Sequence, residues 1–144
     1  MNDQWLAGFF DGEGCITSKS YYSYGKYIKQ PRVVIQITIT QKDRTVLDEI
    51  QKVYGGAVDT KHDKKRFCHS WRVTGKENMK RFLTAIYPYS IVKKEQILLA
   101  LQFIETIRED NLGCVALDDS VHLERGLIHN KLKLLKKAGE IVKG

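Results

Sequence analysis

Between Arg32 and Gln41 the chain reads RVVIQITITQ, in which Val33, Ile35, Ile37 and Ile39 alternate with Val34, Gln36, Thr38 and Thr40. A period of two sends the two sets to opposite faces of one strand, so one face is buried and the other is wet. That restricts the chain to a sheet covered on one side, and antiparallel pairing follows, because parallel sheets bury both faces. The preceding CITSKS and its polar, aromatic tip YYSYGKY supply the other arm of a long hairpin. A second hairpin is predicted from AVDTK and FCHSWRVT around the turn HDKK.

Helical patterns alternate with these strand pairs. Asn2 or Asp3 caps a first helix through Trp5, Leu6, Phe9 and Phe10, stopped at Gly14. DRTVLDEIQKVYGG spaces Val46, Leu47, Ile50 and Val53 helically and ends at Gly55 and Gly56, and KENMKRFLTAIY is a helix halted by Pro88. A longer helix starts after Ser90 with Ile97, Leu101, Ile104 and Ile107 on one stripe. The last, from Ser120 to Ala138, is expected to turn Leu123, Leu127 and Leu134 inward and Lys131, Lys133, Lys136 and Lys137 outward. With 144 residues and no repeat or linker, the chain is expected to be one domain, 1–144, of the α+β class, an antiparallel sheet with helices on one face.

The 24 Lys and Arg outnumber the 17 Asp and Glu, and a net charge of +7 favours a polyanionic partner through counterion release. No apolar run approaches the ~20 residues that span a bilayer, and MNDQW lacks the regions of a signal peptide, so no membrane association and an intracellular location are expected. Cys15, Cys68 and Cys114 are odd in number and widely spaced, which argues against a disulfide framework. Cys68 and His69 with His62 imitate half a metal site, against the blander reading of incidental thiols.

The wet face of the first hairpin carries Arg32, Gln36, Thr38 and Thr40, and that of the second Ser70, Arg72 and Thr74, with Lys61 near its turn. Arg and Gln are the side chains that read guanine and adenine edges, and a two-stranded ribbon fits the major groove of duplex DNA. Polar residues outward are also what any half-buried sheet shows, but here nearly all the outward charge has one sign. On the first helix Gly8 and Gly12 lie four apart, each costing ~1 kcal/mol against alanine, and with Ala7 and Asp11 they form a flat strip for close approach of a second backbone. The same helix of a second subunit, across a two-fold axis, is the simplest partner. Glu13 then stands at the negative end of the helix dipole, beside its symmetry mate. Two crowded carboxylates call for protons or divalent cations, and oxygen ligands suit Mg²⁺, although the composition of DGEG alone favours a solvated turn with two acids.

The stretch LAGFFDGEG resembles the signature of the LAGLIDADG homing endonucleases: Leu6, Ala7, Gly8, Asp11 and Gly14 match, Phe9 and Phe10 are apolar replacements, Gly12 stands for alanine and Glu13 for aspartate. The resemblance implies an αββαββα fold whose saddle-shaped sheet straddles DNA, acting as a homodimer on a nearly palindromic site. It implies that Glu13 binds the catalytic Mg²⁺, that the Gly12 carbonyl adds a ligand, and that Asp11 caps or packs near helix ends. ITITQK is similar to the end of the family's long second strand, which gives Gln41 the role of ordering water. YPYSIVKKEQ is similar to the start of its later helix, which brings Lys93 to the scissile phosphate, with Lys94 as the competing assignment. Arg44 is a further basic residue after the glutamine, with Thr45 competing for that position. The function so implied is site-specific, Mg²⁺-dependent hydrolysis of both strands of a pseudo-palindromic DNA. The alternative is a binder without cleavage, such as an intron RNA maturase, on the same fold.

Overall fold

The Asn2 side chain accepts the Trp5 backbone N–H at 2.7 Å and so starts α1 (Asp3–Glu13). In this computed structural model, which describes residues 2–24, 29–63, 66–107 and 119–143, β1 (Gly14–Tyr24), β2 (Lys29–Gln41), α2 (Arg44–Tyr54), β3 (Ala57–Asp63), β4 (Arg66–Val73), α3 (Lys76–Ile86), α4 (Lys94–Glu105) and α5 (Asp119–Lys143) follow. The side chains expected at the hairpin tips, Tyr21, Tyr22, Tyr24, Lys26, Tyr27, Lys29, Lys64, Lys65 and Arg66, lie outside the described residues, as do those of Cys114, Lys137 and Ala138. Among the described residues no helix is long and apolar enough to cross a membrane.

The strands form one antiparallel sheet in the order β1-β2-β4-β3. Ile37 pairs with Ile16 on one side and Val73 on the other, and Ile39 with Gly14 and Trp71, so the alternating set of β2 becomes the centre of the covered face. Ile16, Ile35, Ile37, Ile39, Trp71 and Val73 are all buried. Above them Phe82 of α3 joins three elements through ring contacts, meeting Phe10 of α1 and Tyr54 of α2 edge-on at 5.3 Å and Trp71 of β4 at 5.0 Å. The Trp71 indole N–H donates to the Gly55 carbonyl at 2.8 Å, so its buried polar atom is satisfied.

Two glycines are required by space. Gly14 ends α1 as expected, but with an extended backbone that opens β1 directly, and the Phe10 ring lies where a Cβ would be. Gly56 has φ of +86°, and a Cβ there would lie 2.5 Å from the Arg72 carbonyl oxygen.

Three helices differ from their sequence pattern. In α2, Val53 faces solvent and Tyr54 is buried against Phe82. α4 begins at Lys94 rather than after Ser90, and the backbone N–H groups of residues 91–93 before it are taken by a side chain of α1. The leucine stripe of α5 is outside: Leu123, Leu127 and Leu134 are 66%, 52% and 65% exposed, while Ile128 and Leu132 are 4% and 1% exposed and Arg125 and His129 are buried with them. Arg125 Nε donates to the Thr106 hydroxyl at 2.8 Å and its NH2 group to the Thr106 carbonyl at 2.7 Å, while His129 shares a 2.7 Å hydrogen bond with Ser18. Two polar residues with partners already in place thus outweigh three leucines. Accordingly, Leu127→Gln is expected to leave the denaturant midpoint within about 0.5 kcal/mol of wild type, whereas Leu132→Ala should cost about 2–5 kcal/mol. The opposite ranking in equilibrium unfolding would put the leucine stripe inside.

Candidate functional site

The C-terminus of α1 and the N-terminus of α4 are joined by one carboxylate. Asp11 accepts from the Ser90 hydroxyl, from Ile91 N at 2.7 Å, Val92 N at 3.1 Å and Lys93 N at 3.2 Å. It therefore pins the turn that leads into α4 from another element, and α4 itself has no side-chain cap. In return the Lys93 ammonium donates to the Asp11 carbonyl at 2.6 Å, at the negative end of the α1 dipole. The backbone position of Lys93 opposes the α4 dipole, as the sequence implied, but its charge is delivered to a helix end that favours it. Lys94 turns away, its ammonium 5.1 Å from the centre of the Tyr87 ring.

Burial pushes the Asp11 carboxyl up, but the Ser90 hydroxyl and the three backbone N–H groups outweigh it and hold the group below its ordinary 3.8.

With Asp11 committed inward, Gly12 and Glu13 are left exposed at the end of α1. Among the described residues Glu13 makes no ion pair. The Gly14 N–H closes back on Phe10, so the carbonyls after Phe10 have no helical donor; Lys93 takes that of Asp11, and that of Gly12 remains beside Glu13. Gly8 and Gly12 do share an outer face, with nothing within 4 Å of a Cβ at either. Ala7 is not on that strip: it is fully buried, turned with Leu6 and Phe10 into the chain's own core. The strip is edged instead by exposed Trp5 and by Phe9, which is partly buried against the core, their rings stacked at 5.0 Å.

The open face of the sheet follows from the register. Thr17 pairs with Gln36, Cys15 with Thr38, Thr38 with Arg72, Thr40 with Ser70, and Lys61 with Cys68, so Gln36, Thr38, Thr40, Lys61, Ser70 and Arg72 share one face, and Arg32 lies on it by parity. The Thr40 and Ser70 hydroxyls are 3.2 Å apart. Arg72 is held by Asp59 at 2.9 Å, an acid on this face that a reading for basic residues passes over although its parity is legible. Among the described residues the buried Nε of Arg32 has no hydrogen-bond partner. Gln41 ends β2 opposite His69, on the parity of the covered face. Arg44 opens α2 and is tied to Asp48 at 3.2 Å. Cys68 and His69 point to opposite faces, and no three His, Cys, Asp or Glu residues cluster among the described residues, so the half metal site does not form.

At the β1 edge Cys15 shares a 3.3 Å hydrogen bond with Thr17 and accepts from Lys136 of α5 at 3.3 Å. Burial pushes its thiol up, but Thr17 and Lys136, with the charge of Lys93 farther off, outweigh this and leave it below its ordinary value. The sequence gives no sign of this meeting of two lysines, because a helix at the far end of the chain supplies one of them.

The depressed Asp11 value gives a test of the α1–α4 junction. Stability from Asp11 is whole above pH 3.8 and drains as the pH falls through the lower folded value. Asp11→Ala is expected to cost about 2 kcal/mol at pH 7 and to flatten this acid-side loss in denaturant titrations; an unchanged acid profile would refute the junction's weight.

Comparison with known proteins agrees with this geometry. The family model described as LAGLIDADG endonuclease matches residues 6–106. The DNA endonuclease I-CvuI of Chlorella vulgaris is 32% identical over 135 residues, covering 91% of this chain and 77% of that protein. A crystal structure of I-CvuI with an I-CreI target in the presence of Mg superposes with a TM-score of 0.74 at 29% identity, covering 92% and 80% of the two chains. The intron-encoded RNA maturase bI4 of Saccharomyces cerevisiae is 34% identical over 86 residues, 58% of this chain but 11% of that protein. The signature on α1, the four-stranded sheet beneath it and these matches together place the chain in the LAGLIDADG endonuclease family.

Proposed function

We propose that the protein is a homodimeric, Mg²⁺-dependent DNA endonuclease acting inside the cell, hydrolysing one phosphodiester in each strand at the centre of a pseudo-palindromic target. The observation that carries this is the exposed Glu13 with the Gly12 carbonyl, left unengaged among the described residues at the end of α1, next in the chain to the Asp11 carbonyl that Lys93 binds. These donors are hard oxygens, which fit Mg²⁺. One chain supplies too few of them, and a second Glu13 brought by the Gly8–Gly12 strip, together with DNA phosphates, would complete the set. Ile91, 86% exposed, extends the apolar margin of the strip.

When bound, the metal supplies charge stabilisation at the phosphate and an activated water. The remaining work falls to side chains. Arg32, Gln36, Thr38, Thr40, Lys61, Ser70 and Arg72 hold bases and phosphates in register. Gln41 orders solvent, and Lys93 neutralises charge on the reacting phosphate or moves a proton at its oxygen. I-CvuI, an endonuclease by name and crystallised with DNA, supports the reading. The likeness to the bI4 maturase favours a second one, RNA binding without cutting.

Incubating the protein with a randomised plasmid library in Mg²⁺ and in Ca²⁺, and sequencing the broken ends, should recover one target cut only in Mg²⁺. Glu13→Gln should lower cutting by at least about 100-fold while duplex binding persists, and Gly8→Leu should shift sedimentation toward the monomer. Intron RNA binding with no cut plasmid would replace the endonuclease by the maturase reading.

A further inference from the structure

We propose that Lys136 contacts the backbone phosphate next to the cleavage point, a second cation beside Lys93; the inference rests on the endonuclease reading. α5 runs along the edge strand β1 toward the site. His129 meets Ser18 at 2.7 Å and Lys136 meets Cys15 at 3.3 Å. Seven helical residues rise ~10.5 Å and three strand residues ~10 Å, so the two contacts track one another antiparallel.

The contacts also change sides. Ser18 has the parity of buried Ile16, whereas Cys15 has the parity of the open face. β1 is at the edge of the sheet, so Lys136 reaches round it and presents its ammonium on the polar face. Cys15 is two residues from Glu13, in reach of the charge of Lys93 as well. Among the described residues Lys136 has no carboxylate partner, and the thiol is a weak acceptor. A phosphate oxygen offers a stronger, charge-assisted bond instead.

Binding of a fluorescein-labelled duplex of random sequence in Ca²⁺, followed by anisotropy across a salt series, tests the assignment. Lys136→Ala should reduce the slope of log affinity against log salt by about 0.9 for each phosphate that is no longer neutralised, one per subunit, and Lys136→Arg should restore it. Cutting of the library-derived target in Mg²⁺ should fall about tenfold in rate for the alanine variant, the order expected when one charged hydrogen bond to the phosphate is removed, and recover with arginine. An unchanged slope overturns the proposal, and so does a reduced slope with wild-type cutting, which would place the phosphate away from the reaction. If the unaltered protein neither binds nor cuts duplex DNA, the endonuclease reading itself fails and takes the role of Lys136 with it.

Discussion

The arrangement at the candidate site depends on an exchange between two helix ends. The Asp11 carboxylate leaves the negative end of α1 and holds the backbone N–H groups just before the positive end of α4, while the Lys93 ammonium leaves the positive end of α4 and settles on the Asp11 carbonyl in the last turn of α1. Each charge would be misplaced on its own helix, and each is favoured on the other's. The exchange spans about eighty positions of sequence, so it depends on the sheet and α3 to hold the two helix ends together.

From that exchange the exposure of Glu13 follows. Asp11 is committed to structure, and the acid at the end of the helix is spared. Phe10 contributes from below, since its ring fills the space over Gly14 and turns the chain straight from helix into β1 without a loop. Glu13 is therefore anchored on a rigid helix-to-strand corner, one residue from a strand whose partner is Ile39 of the central β2. A site on such a corner holds its geometry better than one on a loop.

The sheet was legible because its signal is local: four isoleucines and valines in strict alternation specify both the strand and its buried face, and a one-residue slip would have reversed every assignment. Helix positions were legible for the same reason, and so was the flat strip of Gly8 and Gly12. What escaped the sequence depends on partners distant along the chain. Ala7 reads as part of a small-residue strip until its rotation toward Leu6 and Phe10 is known, and Asp11, which the family resemblance sends to cap or pack near the helix ends, gains its particular partners only when residues 90–93 are placed above it. The opening of α4 at Lys94 is a further case, since the turn before it is held by Asp11 from far along the chain.

The rotation of α5 is the hardest of these to read, and the reason is physical. Leu123, Leu127 and Leu134 form one apolar stripe, and Ile128 and Leu132 form another nearly opposite, so area burial alone favours the wrong one. The difference is made by polar groups whose partners are already fixed. Arg125 spans the Thr106 hydroxyl and carbonyl with its guanidinium 5.3 Å from the centre of the Phe103 ring. His129, held below its ordinary value by burial and by Lys133 and hence neutral, fits against Ser18. Turning the leucines inward would strip both of these partners and leave Arg125 a charge without its bonds if it stayed buried. The rotation that satisfies Arg125 and His129 is also the one that carries Lys136 to the edge of β1, so the position of that lysine is set by the hydrogen-bonding of its helix and not by the hydrophobic pattern.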